Sequence, residues 1–286
     1  MNPSQEILLI AVLTAAACAI PGVFLVLRKM SMSSDSITHT ILLGIVLAFM
    51  AVNDLSSPLL LLGAALVGTV TVWLTELLTK TRLVSSDSAT GIIFPLLFSI
   101  AVILITKYAG SAHLDTDSVL LGELAFAPFD RMTVGGIDIG AKGIYISGGL
   151  LIINVLFISV FFKELTVASF DPVLAAVMGF SPSIIHYSLM TVVSITAVGA
   201  FETAGSVLVT AFMIAPAAAA YLLTDNLKNM IFIAVTIGTV CGVLGFHTAI
   251  LLDVSISGSM ACYAGVFLGA AAVWKKKKVV HWNLAK

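Results

Sequence analysis

Apolar stretches long enough to cross a membrane recur from one end of this 286-residue chain to the other. Hydrophobic residues make up 59% of the chain and charged residues only 10%, whereas a soluble domain carries about 25% charged residues. Because unpaired backbone groups are not tolerated in lipid, such stretches are predicted to be helices of about 20 residues. The sequence therefore predicts an all-α, polytopic membrane bundle, in which 1–286 form a single transmembrane domain of about nine spans. The predicted spans are 6–27, 36–53, 57–79, 88–106, 144–162, 183–200, 203–224, 228–251 and 255–274.

Two boundaries of these spans are poorly defined by the sequence. The second span is too short to cross a membrane unless its helix begins near Met30. The sixth and seventh spans are separated only by the stretch around Phe201-Glu202-Thr203, which leaves a broken or re-entrant pair of helices open.

Basic residues predict the orientation of the bundle, because cytoplasmic loops of membrane proteins carry the excess of Lys and Arg. Nine spans with the N-terminus outside place eleven basic residues in the cytoplasm and three outside. We therefore expect an outer N-terminus and a cytoplasmic C-terminus, with a basic tail over 275–286 at the lipid headgroups. The first span lacks the basic flank of a signal peptide and is expected to be retained.

The sequence disfavours several classes of function. A net charge of -1 gives no reason to expect nucleic-acid binding. Cys18, Cys241 and Cys262 stand singly in apolar segments, unlike the cysteines of a zinc finger or a redox site. An HExxH motif is absent, which disfavours an intramembrane metalloprotease. A phosphate-binding GxxxxGK(S/T) loop is also absent, so the chain is not expected to be an enzyme, and any ATP would be hydrolysed by a partner chain.

Two ionisable residues, Asp35 and His39, lie near the start of the second apolar span in S-M-S-S-D-S-I-T-H-T-I-L. Residues four apart in a helix share a face, with Cβ atoms roughly 6 Å apart, so this carboxylate and imidazole can reach one ion. Ionisable groups in a span are costly and typically line a path for ions. Oxygen and imidazole donors without a thiolate suit Mn²⁺, Fe²⁺ or Zn²⁺. A second copy of the pair, from a partner subunit, would complete the ligand set.

Hydroxyl side chains surround this pair and suit a water-filled cavity. They belong to Ser33, Ser34, Ser36 and Thr38. The residues alone leave a second interpretation open, in which Asp35 caps the helix and His39 hydrogen-bonds to a neighbouring helix.

The segment 163–182, K-E-L-T-V-A-S-F-D-P-V-L-A-A-V-M-G-F-S-P, carries the signals of one short capped helix between the fifth and sixth spans. Asp171 is a suitable N-cap, Pro172 suits the first helical position, and Gly179 suits the left-handed residue that ends a helix. A small helix on the cytoplasmic side suits docking to an ATPase subunit, although an ordinary connector has the same signals. The apolar side chains available for contact are those of Leu174, Val177 and Met178.

Four further residues are weaker candidates for a metal path at the outer side. Glu202 lies near the outer ends of the sixth and seventh spans, and three ligand types alternate in H-L-D-T-D, namely His113, Asp115 and Asp117. For each of the four, the sequence favours an ordinary solvated residue in a loop or at a helix end.

Three longer stretches carry a more specific signal. They are V-L-R-K-M-S-M-S-S-D-S-I-T-H (26–39), A-S-F-D-P-V-L-A-A-V-M-G-F-S-P (168–182) and F-E-T-A-G-S-V-L-V-T-A-F-M-I-A-P-A-A-A-A-Y-L-L-T (201–224). Together they resemble the membrane permeases of manganese, zinc and iron ABC importers, over nearly the whole chain. The stretch 113–131 is similar to the branch that favours manganese or iron. The family motif D-A-(I/L)-S-H is D-S-I-T-H here, and the following H-(A/S)-(V/I)-L-P-G is H-T-I-L-L-G, without the proline.

This resemblance implies a set of roles and partners. Asp35 and His39 would bind the transported ion, with Mn²⁺ favoured and Zn²⁺ or Fe²⁺ open, and no permanently bound cofactor. The segment 171–180 would be the coupling helix that docks on cytoplasmic ABC ATPase subunits. An extracytoplasmic metal-binding lipoprotein or periplasmic protein would deliver the metal. A second permease chain, identical or related, would complete the channel in the bacterial cell membrane.

Two other transport functions remain open at the level of the sequence. A secondary transporter or channel for divalent cations would need no ATPase, and the coupling helix disfavours it. A permease for a metal chelate would not need a pair of residues that coordinates the ion.

Overall fold

The computed structural model describes residues 2–52, 57, 59–108, 124–134 and 137–284. Within these ranges, nine helices are long and apolar enough to cross a membrane, which confirms the predicted membrane bundle. The helices are α1 (Pro3–Leu27), α2 (Ser31–Val52), α3 (Leu59–Lys80), α4 (Ser86–Tyr108), α5 (Lys142–Val160), α6 (Phe162–Phe170), α7 (Pro172–Val177), α8 (Pro182–Ala204), α9 (Ser206–Leu223), α10 (Leu227–Leu252) and α11 (Ile256–Leu284). A short 3-10 helix (Leu124–Phe129) precedes the strands β1 (Arg131–Val134) and β2 (Ile137–Ala141).

The structure defines both boundaries that the sequence left poorly defined. Helix α2 begins at Ser31, close to the start near Met30 that a full span requires. The sixth and seventh spans are broken at Gly205, which lies beyond the stretch Phe201-Glu202-Thr203 and has φ 79° and ψ 162°. This backbone conformation is essentially restricted to glycine. The break therefore occurs where the chain has a residue that can adopt it.

Three short features were not predicted. The cytoplasmic segment contains a second helix, α6, because Leu165 and Ala168 are three residues apart and bury one face of a turn. The strands β1 and β2 pair antiparallel, with Arg131 opposite Ala141. They follow an alternation of β-branched residues around two glycines, which is a hairpin signal. Helix α11 continues to Leu284, so the predicted basic tail is largely an extension of the last helix.

Helix α1 lies at the centre of the bundle, where it packs against α5, α9 and α10. Residues 14–25 of this helix are all buried. Helix α2 packs against α3 and α4, and the crossing with α3 depends on Gly44. A Cβ added at this glycine would lie 2.5 Å from the Cα of Ala64, so any larger residue would force the helices apart. Close approach at small residues is the usual way that helices associate in lipid.

Candidate metal-transport site

A tight corner between α1 and α2 fixes the position of the Asp35–His39 pair. Helix α1 ends at Arg28, and Lys29 adopts the left-handed conformation with φ 57°. The Met30 amide donates to the Leu25 carbonyl over 2.9 Å, which is the hydrogen bond of a Schellman motif. Helix α2 then begins at Ser31. Because the corner is short and hydrogen-bonded, the start of α2 is held against the end of α1.

Asp35 and His39 occupy the open positions in an otherwise buried stretch of α2. From Ser33 to Gly44, every residue of α2 is buried except these two. The side chain of Asp35 is 43% exposed and that of His39 is 27% exposed. Since charged groups are costly in contact with lipid, this opening is suited to a second protein chain or a water-filled path.

The geometry of the pair fits a shared ion better than a hydrogen bond. The His39 Nε2 and Asp35 Oδ1 atoms are 3.6 Å apart, which is too long for a hydrogen bond. Two metal–ligand bonds of about 2.1 Å each can span up to about 4.2 Å between their donor atoms. Both atoms can therefore bind one ion without a change of helix geometry. The alternative interpretation placed Asp35 at the helix cap and gave His39 a hydrogen bond to a neighbouring helix. In the structure α2 begins at Ser31, and among the described residues no hydrogen bond joins His39 to a neighbouring helix.

Two aromatic residues of α4 hold the His39 ring. The Phe94 ring lies 5.1 Å from it, centroid to centroid, in a tilted arrangement. The Phe98 ring lies 6.3 Å away and meets it edge-on. These contacts restrict rotation of the imidazole and leave its nitrogens free of competing hydrogen bonds from α4. This contact is not predictable from the sequence, because α4 carries no motif around these phenylalanines.

The four hydroxyl side chains around the pair are all buried, and two of them contact a neighbouring helix. The Ser34 hydroxyl donates to the Met213 sulfur at 3.0 Å, and Thr38 Oγ1 lies 3.3 Å from Thr210 Oγ1. Both partners lie on α9, on the buried side of α2. These hydroxyls therefore bind neighbouring helices, and they leave the open face to Asp35 and His39.

The short helix α7 has the capping that its sequence predicts. The Asp171 carboxylate accepts hydrogen bonds from the Val173 and Leu174 amides at 3.0 and 2.9 Å. Pro172 occupies the first helical position, and Gly179 has φ 87°. The helix ends at Val177, so it is shorter than the predicted 171–180. Its apolar side chains project into solvent, with Leu174 48%, Val177 80% and Met178 56% exposed.

Glu202 lies in an ion pair at the end of the bundle that carries the β1–β2 hairpin. Its Oε1 accepts a hydrogen bond from the Lys142 ammonium at 2.7 Å, and Lys142 also lies 3.6 Å from Asp130. The carboxylate is thus compensated by a cation, which weakens its case as a metal ligand. The other three candidates for the outer path, His113, Asp115 and Asp117, lie outside the residues that the structure describes.

A second ion pair lies in the neighbouring hairpin. Arg131 Nε is 2.5 Å from Asp138 Oδ2, and Arg131 Nη2 is 3.8 Å from the buried Glu6. The Gly140 amide donates to Asp138, and together with Arg131 it lowers the pKa of that carboxyl below its ordinary value. Opposite charges therefore join the start of α1 to the hairpin and the start of α5 to the end of α8.

The sequence profile of the ABC 3 transport family matches residues 2–274. The chain belongs to this family. It is 44% identical over 277 residues to the manganese transport system membrane protein MntD of Bacillus subtilis, covering 95% of this chain and 94% of the relative. It is 46% identical over 274 residues to the zinc transport system membrane protein TroD of Treponema pallidum, covering 96% of this chain and 74% of that protein.

A solved structure has the same fold. PsaBC from Streptococcus pneumoniae, in complex with Fab, superposes with a TM-score of 0.77 at 29% identity, covering 95% of this chain and 91% of that chain. The family resemblance inferred from the sequence is thereby confirmed. The chain is a multi-pass membrane subunit of an ABC transport system.

Sequence reasoning missed a polar network in this ABC 3 permease, at the end of the bundle that carries α6 and α7. The Arg28 guanidinium donates from Nε to Ser169 Oγ at 3.0 Å and lies 3.3 Å from His186 Nδ1 through Nη1. His186 Nε2 faces Glu76 Oε1, and the Tyr187 hydroxyl donates to Glu76 Oε2 at 2.7 Å. From the sequence alone, Glu76 would be interpreted as the ion-pair partner of Lys80 one turn away, and His186 as a packing residue at the start of a span. Nothing in their spacing indicates that four separate helices bring them together.

Proposed function

We propose that this chain is the permease subunit of an ATP-driven importer for a divalent transition-metal ion, and that Asp35 and His39 bind the ion during transfer. The observation that carries the proposal is the opening on α2, where these two ligand types occupy the unburied positions of the otherwise buried stretch 33–44. The metal is a transported substrate rather than a resident cofactor.

The chemistry of the pair favours a bare ion over a chelate. A carboxylate oxygen and an imidazole nitrogen suit Mn²⁺, Fe²⁺ and Zn²⁺. The 3.6 Å between their donor atoms permits both to bind one ion. A permease for a metal chelate would have no use for ligands at this spacing. An ion held here would exchange its lost hydration for two protein ligands, one of them anionic.

Two ligands do not complete the coordination of a transition metal, which takes four or more donors. Among the residues that the structure describes, no third His, Cys, Asp or Glu joins the pair. We therefore propose that a second permease chain, identical or related, brings its own ligands to the open face of α2.

The proposed energy source is a pair of cytoplasmic ABC ATPases that dock on α7. The exposed Leu174, Val177 and Met178 form a small apolar surface outside the spans, on a helix that is rigidly capped by Asp171. The excess of basic residues on the same side supports a cytoplasmic position. In this orientation the N-terminus and the β1–β2 hairpin face outward, where a metal-binding lipoprotein or periplasmic protein would deliver the ion.

Manganese is the metal that we favour. The relatives MntD and TroD are named for manganese and zinc, at 44% and 46% identity, so the identity alone does not separate the two metals. The stretch 113–131 resembles the manganese- or iron-favouring branch of the permease family. For this reason we rank Mn²⁺ ahead of Zn²⁺. Zn²⁺ is the second candidate, because TroD is the relative that carries that name.

Uptake of radiolabelled Mn²⁺ and Zn²⁺ by cells that depend on this chain tests the proposal. We expect Asp35→Asn and His39→Gln each to lower uptake by at least about tenfold, since even groups that only support a metal ligand matter to that extent. Asp87→Asn and His247→Gln are matched controls, because both residues are exposed and lie on other helices. Wild-type uptake in both site variants, at normal membrane expression, would overturn the role of the pair. Metal transport by this chain alone in liposomes, without ATP or an ATPase, would overturn the ATP-driven mechanism.

A further inference from the structure

Arg28 lies between the proposed docking helix and the proposed metal site. Its side chain contacts the segment before α7, and its backbone belongs to the corner that leads into α2. It is the last residue of the α1–α2 corner before Lys29 turns the chain, and Asp35 follows seven residues later on α2. Its side chain is half-buried and reaches the cytoplasmic segment rather than solvent. A movement of this side chain therefore acts on the corner that positions α2.

The first contact of Arg28 is with the segment that leads into the docking helix. Its Nε donates to Ser169 Oγ at 3.0 Å, across 141 residues of sequence. The Ser169 hydroxyl in turn donates to the Leu165 carbonyl at 2.6 Å, one turn earlier in α6. Ser169 lies two residues before Asp171, the N-cap of α7. Because α6 and α7 are joined without a loop, a displacement of α7 is passed directly to this hydroxyl.

The second contact of Arg28 is with a buried polar chain on α8 and α3. Its Nη1 lies 3.3 Å from His186 Nδ1. A neutral imidazole with its proton on Nε2 accepts from Arg28 and donates to Glu76 at the same time. The charged groups around this imidazole are Arg28, Glu76 and Lys80, the last 4.0 Å from the Glu76 carboxylate.

The guanidinium is not fully satisfied in this arrangement. The Arg28 Nη2 atom is buried and makes no hydrogen bond to any residue that the structure describes. A buried donor without a partner costs free energy, so Arg28 would gain from an arrangement that supplies one. Coupling between distant sites requires an element that has two arrangements.

We infer that Arg28 is a positioning residue that transmits movement of α7, through Ser169, to the helix that carries Asp35 and His39. This inference rests on the proposed function and adds the route by which ATP hydrolysis reaches the metal site. In the assembled transporter, displacement of α7 shifts Ser169, Arg28 follows, and the α1–α2 corner moves against the His186–Glu76 chain. The contacts of Arg28 are not needed for docking or for metal binding themselves.

The test measures metal transported per ATP hydrolysed, with the complete transporter complex purified through this chain and placed in liposomes. Arg28→Gln is expected to lower this ratio about tenfold while ATP hydrolysis stays within about twofold of wild type. Ser169→Ala should lower it in the same direction, and Ser169→Thr, which keeps the hydroxyl, should restore it. The double variant Arg28→Gln/Ser169→Ala should be no worse than Arg28→Gln alone, because both changes break one link. Lys29→Asn is the matched control, since it removes a neighbouring charge and asparagine tolerates the left-handed conformation.

An unchanged ratio in Arg28→Gln and Ser169→Ala would overturn the inference, as would a proportional loss of transport and hydrolysis. If Arg28→Gln is not recovered as a folded complex, the Ser169→Ala and Ser169→Thr pair decides the question. A wild-type complex that moves neither Mn²⁺ nor Zn²⁺ with ATP would instead overturn the proposed function, and this inference with it. A wild-type complex that transports while the variants keep its ratio would overturn this inference alone.

Discussion

The two sides of α2 differ in how their polar groups are satisfied. On the buried side, the hydroxyls of Ser34, Thr38 and Thr40 lie against neighbouring helices, and each has a hydrogen-bond partner. On the open side, Asp35 and His39 are 3.6 Å apart without a hydrogen bond between them. The same helix thus carries one polar surface that stabilises the bundle and another whose ligand atoms are left available. We therefore expect that changes on one side of α2 affect the stability of the bundle and that changes on the other side affect metal transport.

Replacement of Gly44 by valine is expected to have the largest effect on stability. The added Cβ would collide with the Ala64 backbone at the crossing with α3, and we expect a loss of about 3 kcal/mol or more of unfolding free energy. The yield of monodisperse protein after extraction in mild detergent measures this. Gly91→Val is the control, because a Cβ there meets nothing within 4 Å. A normal yield for Gly44→Val would show that the α2–α3 crossing is looser than described.

Loss of the Thr71 hydroxyl should have a moderate effect on stability alone. Thr71 Oγ1 donates to Thr40 Oγ1 on α2 at 2.9 Å, and hydrogen bonds between membrane helices contribute about 0.6 kcal/mol on average. Thr71→Val should therefore lower the thermal midpoint slightly and leave uptake of metal unchanged. Thr71→Ser keeps the hydroxyl and should behave as wild type. A loss of uptake in Thr71→Val would break the separation between the two sides of α2.

A smaller effect is expected for Ser34→Ala, although Ser34 is the immediate neighbour of Asp35. Its hydroxyl donates to the Met213 sulfur, which is a weak acceptor. We expect less than about 0.5 kcal/mol of destabilisation and normal uptake, measured by thermal unfolding and metal transport in parallel. A transport defect here would place the metal path on the hydroxyl side.

The double variant Asp35→Asn/His39→Gln should have the smallest effect on stability. Both residues are partly exposed and not hydrogen-bonded to each other, so we expect a change within about 0.5 kcal/mol. Added Mn²⁺ should raise the thermal midpoint of the wild type, because a ligand that binds the folded state stabilises it. The double variant should lose this increase. A strongly destabilised variant would mean that the pair is a structural feature of α2.

Much of this fold follows from local sequence signals. Hydropathy located all nine spans, and the need for a full span placed the start of α2 near Met30. The capping residues Asp171 and Gly179 predicted α7, because helix caps are local signals that act within a few residues. The break at Gly205 was misplaced because hydropathy does not report a positive φ. The hairpin and α6 were missed because short elements carry weak periodic signals.

The site was only half predictable. The spacing of Asp35 and His39 indicates a shared face, but it does not indicate that this face is the open one. That property depends on which helices cover α2, and so do the contacts of His39 with Phe94 and Phe98. The Arg28–His186 contact joins residues 158 apart in sequence. Such pairings arise from tertiary packing and leave no pattern in a single sequence.

The most direct test of the central claim is electron paramagnetic resonance of Mn²⁺ bound to the purified permease. Our account predicts a nitrogen hyperfine coupling from His39 that disappears in His39→Gln and persists in His247→Gln. It also predicts weaker binding in Asp35→Asn, because the anionic ligand is lost. A nitrogen signal that survives in His39→Gln, or Mn²⁺ binding that is unchanged in both site variants, would contradict the assignment of the transported ion to this pair.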